Sequence, residues 1–304
     1  MASDIQLAAS KTRRIREVLS KDGTRLSVEE FGLGPDAPLL VFSHGWACQG
    51  RFWRPQIEHF AESNRVVVYD QRGHGASDRG RTAFAPAALG DDLEAVLRAV
   101  VTVPRKALVV GHSMGGMSVM AWADGHPDSV KELVRGAVLA STGPSELVSK
   151  STLIGSRPPV RARLERVFGA SLAVAGPEMP NTALTRRFVK YGTMGRHAQP
   201  DVVAECCEIL LQCPPSVRAG WGGVLATIDV GAGLNALSVP TTVAVGDADK
   251  LTPQAHSAEI VKRLEQHGWL HEAVTIPHVG HMINFEAPQA FNGAVSRLNS
   301  AVSD

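Results

Sequence analysis

The stretch that most constrains this chain runs Ala107-Leu108-Val109-Val110-Gly111-His112-Ser113-Met114-Gly115-Gly116. An apolar run climbs into a Gly-x-Ser-x-Gly pentapeptide, and a helix-compatible segment follows over residues 117–124. Such a run, without alternation, predicts a strand buried on both faces. The glycines predict a sharp turn, because a Cβ at Gly111 or Gly115 would collide with the neighbouring helix or strand. The turn strains the backbone of Ser113 and lifts its Oγ clear of the sheet. The first amides of the following helix aim at the same spot. Strand, tightly turned serine and helix together predict a nucleophilic serine.

The rest of the chain supplies a scaffold for that turn. Residues 14–19 and 25–31 alternate polar and apolar side chains around Lys21-Asp22-Gly23, which predicts a β-hairpin with an Asp-Gly turn. Buried-strand patterns recur at 39–43, 65–69, 134–140, 241–245 and 272–276. Helices are expected at 51–62, 86–101, 216–227, 253–267 and 287–301. Leu93, Val96, Leu97 and Val100 share one helical face. Alternating strands and helices predict a mostly parallel sheet covered on both sides. The alternation stops after Thr142. From Gly143 to Cys213 the pattern is helical, with helices expected at 159–168, 182–191 and 201–211. So long an excursion between two strands predicts an inserted helical cap. The expected division is a core of residues 1–142 and 214–304 and a cap of residues 143–213.

Composition narrows the function. At 304 residues with a formal net charge of +1, the chain can bury a sizeable core and carries no basic stripe for nucleic acid. Lys11-Thr12-Arg13-Arg14 reads as a solvated arm. No apolar run is long enough to span a bilayer, and residues 1–10 lack the apolar core of a signal peptide. A soluble, cytoplasmic protein acting on a small molecule is expected, without nucleic-acid or membrane partners. The four cysteines, Cys48, Cys206, Cys207 and Cys213, fit no zinc spacing and read as reduced thiols. His278-Val279-Gly280-His281 lies in a loop without a nearby carboxylate or cysteine, so neither metal nor cofactor is expected.

A serine hydroxyl needs a base, usually histidine, oriented by a carboxylate. In open parallel sheets reactive groups gather beyond the carboxyl ends of the strands. Gly246-Asp247-Ala248-Asp249 follows the strand at 241–245, and Pro277-His278-Val279-Gly280-His281 follows the strand at 272–276. On position alone, Asp247 competes with Asp249 and His278 with His281. His112 would point away from Ser113 Oγ and pack locally. His44 and His74 belong to loops whose shape they hold by hydrogen bonds.

Taken with His44-Gly45-Trp46 and Asp70-Gln71-Arg72-Gly73-His74-Gly75, these motifs resemble the α/β-hydrolase superfamily in its capped esterase and haloperoxidase-like branch. The resemblance implies an α/β fold with a mostly parallel eight-stranded sheet flanked by helices, plus the helical cap. It places the acid at Asp249, ahead of Pro253, and the base at His281, after a glycine. It also implies an oxyanion hole made by the backbone amides of Trp46 and Met114. Asp70 to Gly75 reads as a structural loop at the rim. Dehalogenases and epoxide hydrolases of this fold carry aspartate where Ser113 stands, and the latter add two cap tyrosines. Here only Tyr191 falls in the expected cap. An acyl-enzyme route on a carboxylic ester or lactone is therefore expected, with an apolar or aromatic substrate of modest size. Trp46, Phe168, Met179, Tyr191, Met194, Trp221 and Met282 are its expected pocket. The alternatives on the same triad are carbon–carbon bond hydrolysis, cofactor-free perhydrolysis and acyl transfer. A non-catalytic ligand receptor on the same fold is a further alternative.

Overall fold

The computed structural model describes residues 13–153, 174, 178 and 180–303. Its centre is one sheet of eight strands in the order β1-β2-β4-β3-β5-β6-β7-β8. These are β1 (Arg14–Leu19), β2 (Arg25–Gly32), β3 (Leu39–Ser43), β4 (Arg65–Tyr69), β5 (Ala107–His112), β6 (Val134–Ala140), β7 (Thr241–Gly246) and β8 (Leu270–Ile276). The pairs β1–β2 and β2–β4 are antiparallel, and the remaining pairs are parallel. The hairpin turns as its sequence demands. Gly23 takes a φ of +80°, and the Asp22 carboxylate accepts from the Thr24 amide at 3.0 Å.

The central strands are buried on both faces, and their side chains alternate between two cores. Val41, Val67, Val109 and Leu139 pack on one side with α2 (Pro86–Val100) and α3 (Met114–Gly125). Ile260 and Leu264 of α9 (Gln254–His267) join them. Leu40, Phe42, Val68 and Val110 pack on the other side. There they meet Ile57 and Phe60 of α1 (Arg54–Phe60) and Phe291 and Val295 of α11 (Pro288–Ala301). Both faces of Leu39–Ser43 are thereby spent, which is why its run is apolar without alternation. A fully buried Arg72 bridges the layers. It meets Asp92 of α2 at 2.6 Å and Asp22 of the hairpin turn at 2.9 Å.

The expected helix over 51–62 is shorter. A 3-10 turn, Gly50–Trp53, precedes α1, because Pro55 has no amide to donate and is accommodated only in a first helical turn. Two short helices not expected from sequence are α4 (Pro127–Leu133) and α10 (Ile283–Glu286). Between β6 and β7 the described segments are helical. They are α5 (Leu147–Lys150), α6 (Ala183–Thr193), α7 (Pro200–Leu211), α8 (Pro215–Leu225) and the 3-10 turn Gly231–Asn235. The helix expected over 159–168 lies outside the described residues. No helix among the described residues is long and apolar enough to cross a membrane.

Candidate active site

Ser113 stands where β5 gives way to α3, with φ +54° and ψ −118°. A non-glycine residue there carries of order 1–3 kcal/mol of strain, so its neighbours must hold it. The Ser113 amide donates to the Ala140 carbonyl at 2.9 Å, and Thr142 Oγ1 donates to the Ser113 carbonyl at 2.8 Å. Glycine is obligatory around it. A Cβ on Gly111 would lie 2.5 Å from the Gly115 carbonyl oxygen, and one on Gly115 would run into the Ser43 carbonyl.

Asp249 and His281 arrive from the ends of β7 and β8. Asp249 Oδ2 receives His281 Nδ1–H at 2.9 Å and Thr252 Oγ1–H at 2.8 Å. Its Oδ1 accepts the amides of Leu251 and Thr252, both at 2.9 Å. Burial alone would raise the Asp249 pKa. The neighbouring His281 charge and these donors outweigh it and hold the carboxyl down to about 2. The Nδ1 bond fixes the imidazole tautomer and leaves Nε2 as the basic nitrogen. Asp247 and His278 are both exposed and bond to each other, the His278 amide donating to Asp247 Oδ1 at 2.6 Å. They brace the loop and do not join Asp249 and His281.

The segment carrying His281 is anchored to the end of α6. The amides of His281 and Met282 both donate to the Thr193 carbonyl, at 2.8 and 3.2 Å. The Glu286 carboxylate spans the same junction, accepting the Gly195 amide at 2.7 Å and the Gly280 amide at 3.1 Å. Burial raises its pKa even so. His112 is buried under the imidazole. Its Nε2–H donates to the His281 carbonyl at 2.8 Å. Burial first, and then the nearby His281 charge, lowers its pKa to about 3, so the ring is neutral.

The loop after β3 is held by a second pair of buried histidines. His44 Nε2 accepts the Gln71 amide at 3.0 Å, so Nδ1 carries the proton and donates to the Gly45 carbonyl at 2.8 Å. His74 Nε2 accepts the Ala47 amide at 3.2 Å. Burial lowers both pKa values, to about 4 for His44 and about 3 for His74. This loop passes so close to the serine that a Cβ on Gly45 would lie 3.1 Å from Ser113 Cβ. The amides of Trp46 and Met114 have no hydrogen-bond acceptor among the described residues. Met114 opens α3, where the first amides lack intrahelical partners.

Ser113, His281, Trp46 and Met282 line one cavity of about 380 Å³. Its wall is almost wholly apolar. Met117 of α3, Leu147 of α5, Val189 of α6, Leu210 of α7 and Leu225 of α8 contribute to it. Three expected pocket residues do not line it. Trp221 is fully buried in the core, where its indole N–H donates to the Arg72 carbonyl at 3.1 Å. Arg218, Gly222 and Leu225 occupy the cavity face of α8 instead. Met194 is buried among core residues, packed against the backbone of Gly280. Tyr191 is 61% exposed, its ring beneath Lys250 Nζ at 3.8 Å, because Val189 and Gly192 take the inner face of α6. Phe168 and Met179 lie outside the described residues.

Sequence reasoning also missed the supports. Thr252 had a usable signal, standing three residues after Asp249 in a turn where hydroxyls bond carboxylates locally. Thr193 and Glu286 had none, since their partners are far along the chain. All four cysteines are free and buried. Cys48 lines the cavity, and burial pushes its thiol well above the usual range. Among the described residues, no group of three or more His, Cys, Asp and Glu side chains is arranged to hold a metal ion.

Comparison with known proteins agrees with this architecture. The sequence is 28% identical to 3-oxoadipate enol-lactonase 2 of Acinetobacter baylyi over 283 residues, covering 93% of this chain and 96% of that protein. It is 27% identical to a pimeloyl-[acyl-carrier protein] methyl ester esterase of Aeromonas hydrophila over 271 residues, covering 88% and 96%. A solved thermophilic esterase from Thermogutta terrifontis shares the fold with a TM-score of 0.73 at 22% identity, over 96% of this chain and 100% of that one. The sequence pattern of the alpha/beta hydrolase family matches residues 40–294, more than half of the chain. The chain belongs to the alpha/beta hydrolase family.

Proposed function

We propose that the protein is a serine hydrolase that cleaves a carboxylic ester or lactone through an acyl-enzyme. The observation that carries this is one coincidence. A strained serine at a helix start and an imidazole hydrogen-bonded to a buried carboxylate at 2.9 Å open on the same apolar cavity. In this reading His281 Nε2 takes the Ser113 proton as Oγ attacks the carbonyl carbon. Asp249 orients the ring and stabilises its cation. The amides of Trp46 and Met114 receive the developing oxyanion, each worth about 3 kcal/mol of barrier. His281 then protonates the leaving alcohol and activates water for deacylation.

Residues 143–213 act as a cap in this account. The cavity takes Leu147, Val189 and Leu210 from that segment, which supports the assignment. Buried, reduced cysteines fit a cytoplasmic setting. Enol-lactonase and methyl esterase relatives favour ester chemistry over the other reactions that such a triad can run.

A fluorophosphonate probe tests the reading. It should label the wild type once per chain and fail on Ser113→Ala. A panel of p-nitrophenyl esters and one diketone then separates the chemistries. Diketone cleavage without ester turnover overturns ester hydrolysis.

A further inference from the structure

The cavity wall contains one feature that acyl transfer does not use. Among the described residues that line it there is no Asp or Glu and one permanent cation, Arg218. Arg218 lies on α8 with Gly222 and Leu225, at helical spacings that set all three on the cavity face. It is half-buried. Its carbonyl accepts the Trp46 indole N–H at 3.0 Å, which fixes its backbone beside the loop after β3. Its guanidinium, however, has neither hydrogen bond nor ion pair among the described residues.

Three other buried or half-buried arginines here meet carboxylates. Arg72 meets Asp92 and Asp22, Arg65 meets Glu30, and Arg54 meets Glu205. A guanidinium on an apolar wall with no partner among the described residues is free to meet a ligand, and its planar fork of donors suits a carboxylate. We infer that Arg218 forms a carboxylate subsite in this cavity, so that the ligand is an apolar molecule ending in a carboxylate. This rests on the proposed hydrolase reading for its consequence: the substrate is an ester or lactone that also carries a free carboxylate.

Binding tests the subsite apart from turnover. The probes are 4-phenylbutyrate and its uncharged analogue 4-phenylbutan-1-ol, titrated calorimetrically at pH 8 into Ser113→Ala protein with and without Arg218→Met. With Arg218 present, the carboxylate should bind roughly tenfold tighter than the alcohol, as one charge-assisted contact allows. In the double variant that ratio should fall towards one, and Arg218→Lys should restore part of it. Equal binding of the two probes when Arg218 is present overturns the subsite. So does a ratio that Arg218→Met leaves unchanged. Ser113→Ala protein turns nothing over, so these outcomes are independent of the ester reading, which fluorophosphonate labelling of the wild type judges separately.

Discussion

The backbone amide of His281 donates to the carbonyl of Thr193 at 2.8 Å, tying the loop of the proposed base to the last residue of α6. Glu286 reinforces the tie from the other side, through the Gly195 and Gly280 amides. Glu286→Ala removes both acceptors and leaves two amides unpaired in a mostly buried junction. It should cost about 1–3 kcal/mol of stability. Turnover of a p-nitrophenyl ester should fall about tenfold, mainly in kcat, as His281 loses its fixed position. Glu286→Gln keeps one acceptor and should recover part of the rate. Steady-state kinetics beside thermal melts separates the two effects, and a melt shift with no change in kcat would remove the positioning role.

Asp249→Asn keeps the shape but exchanges an acceptor-only group for one that can donate. His281 then loses its preferred tautomer, and kcat should fall on the order of a thousandfold or more. The same carboxylate makes stability pH-dependent. Its folded pKa, about 2, lies below the usual 3.8, so the unfolded chain binds the proton first on acidification. Stability from Asp249 is therefore complete above about pH 4 and is lost as the pH falls towards 2. Urea unfolding of wild type and Asp249→Asn between pH 5 and 3 should give curves that converge in acid.

Three of the buried histidines act over a higher window. His44, His74 and His112 have folded pKa values of about 4, 3 and 3 against an ordinary 6.5. Depressed folded values mean that unfolding takes up protons. Stability from each is present above about pH 6.5 and declines below it, by up to about 1.4 kcal/mol per pH unit per histidine. The unfolding free energy should drop steeply between pH 6.5 and 5. His112→Asn should flatten that slope by about one proton. An unchanged slope would mean that the ring is charged in the folded chain.

Two glycines should respond differently to alanine. At Gly23 the added methyl meets nothing within 4 Å, and only the φ of +80° opposes it. Gly23→Ala should cost about 1–2 kcal/mol. At Gly115 the methyl would be driven into the backbone of Ser43 and His44. Gly115→Ala should fail to yield the native fold or lose activity outright, since neither backbone can retreat from a buried sheet. Circular dichroism and melting of both variants decide the matter.

Much of this architecture was legible because apolar runs betray doubly buried strands. Leu39–Ser43 and Val134–Ala140 stand where their patterns put them. The short α4 went unread, because seven residues between a helix and a strand carry little periodicity; it begins on Pro127, which a first helical turn accommodates. Asp247 and Asp249 differ by two residues, and only the tertiary path of β7 decides which one is buried beside an imidazole. Trp221 shows the limit from the other direction. An aromatic side chain announces that it wants burial, but the rotation of α8 sends it to the core and hands the cavity to Arg218 and Leu225.

The Trp46 indole, bonded to the Arg218 carbonyl, has a consequence for inheritance. The residue whose amide is assigned to polarise a carbonyl shares a strut with the helix that shapes what may enter. Altered selectivity on that helix will be transmitted to reactivity, so the two traits must drift together. A variant bred for new ligands through α8 should need a compensating change in the loop after β3 before it regains speed.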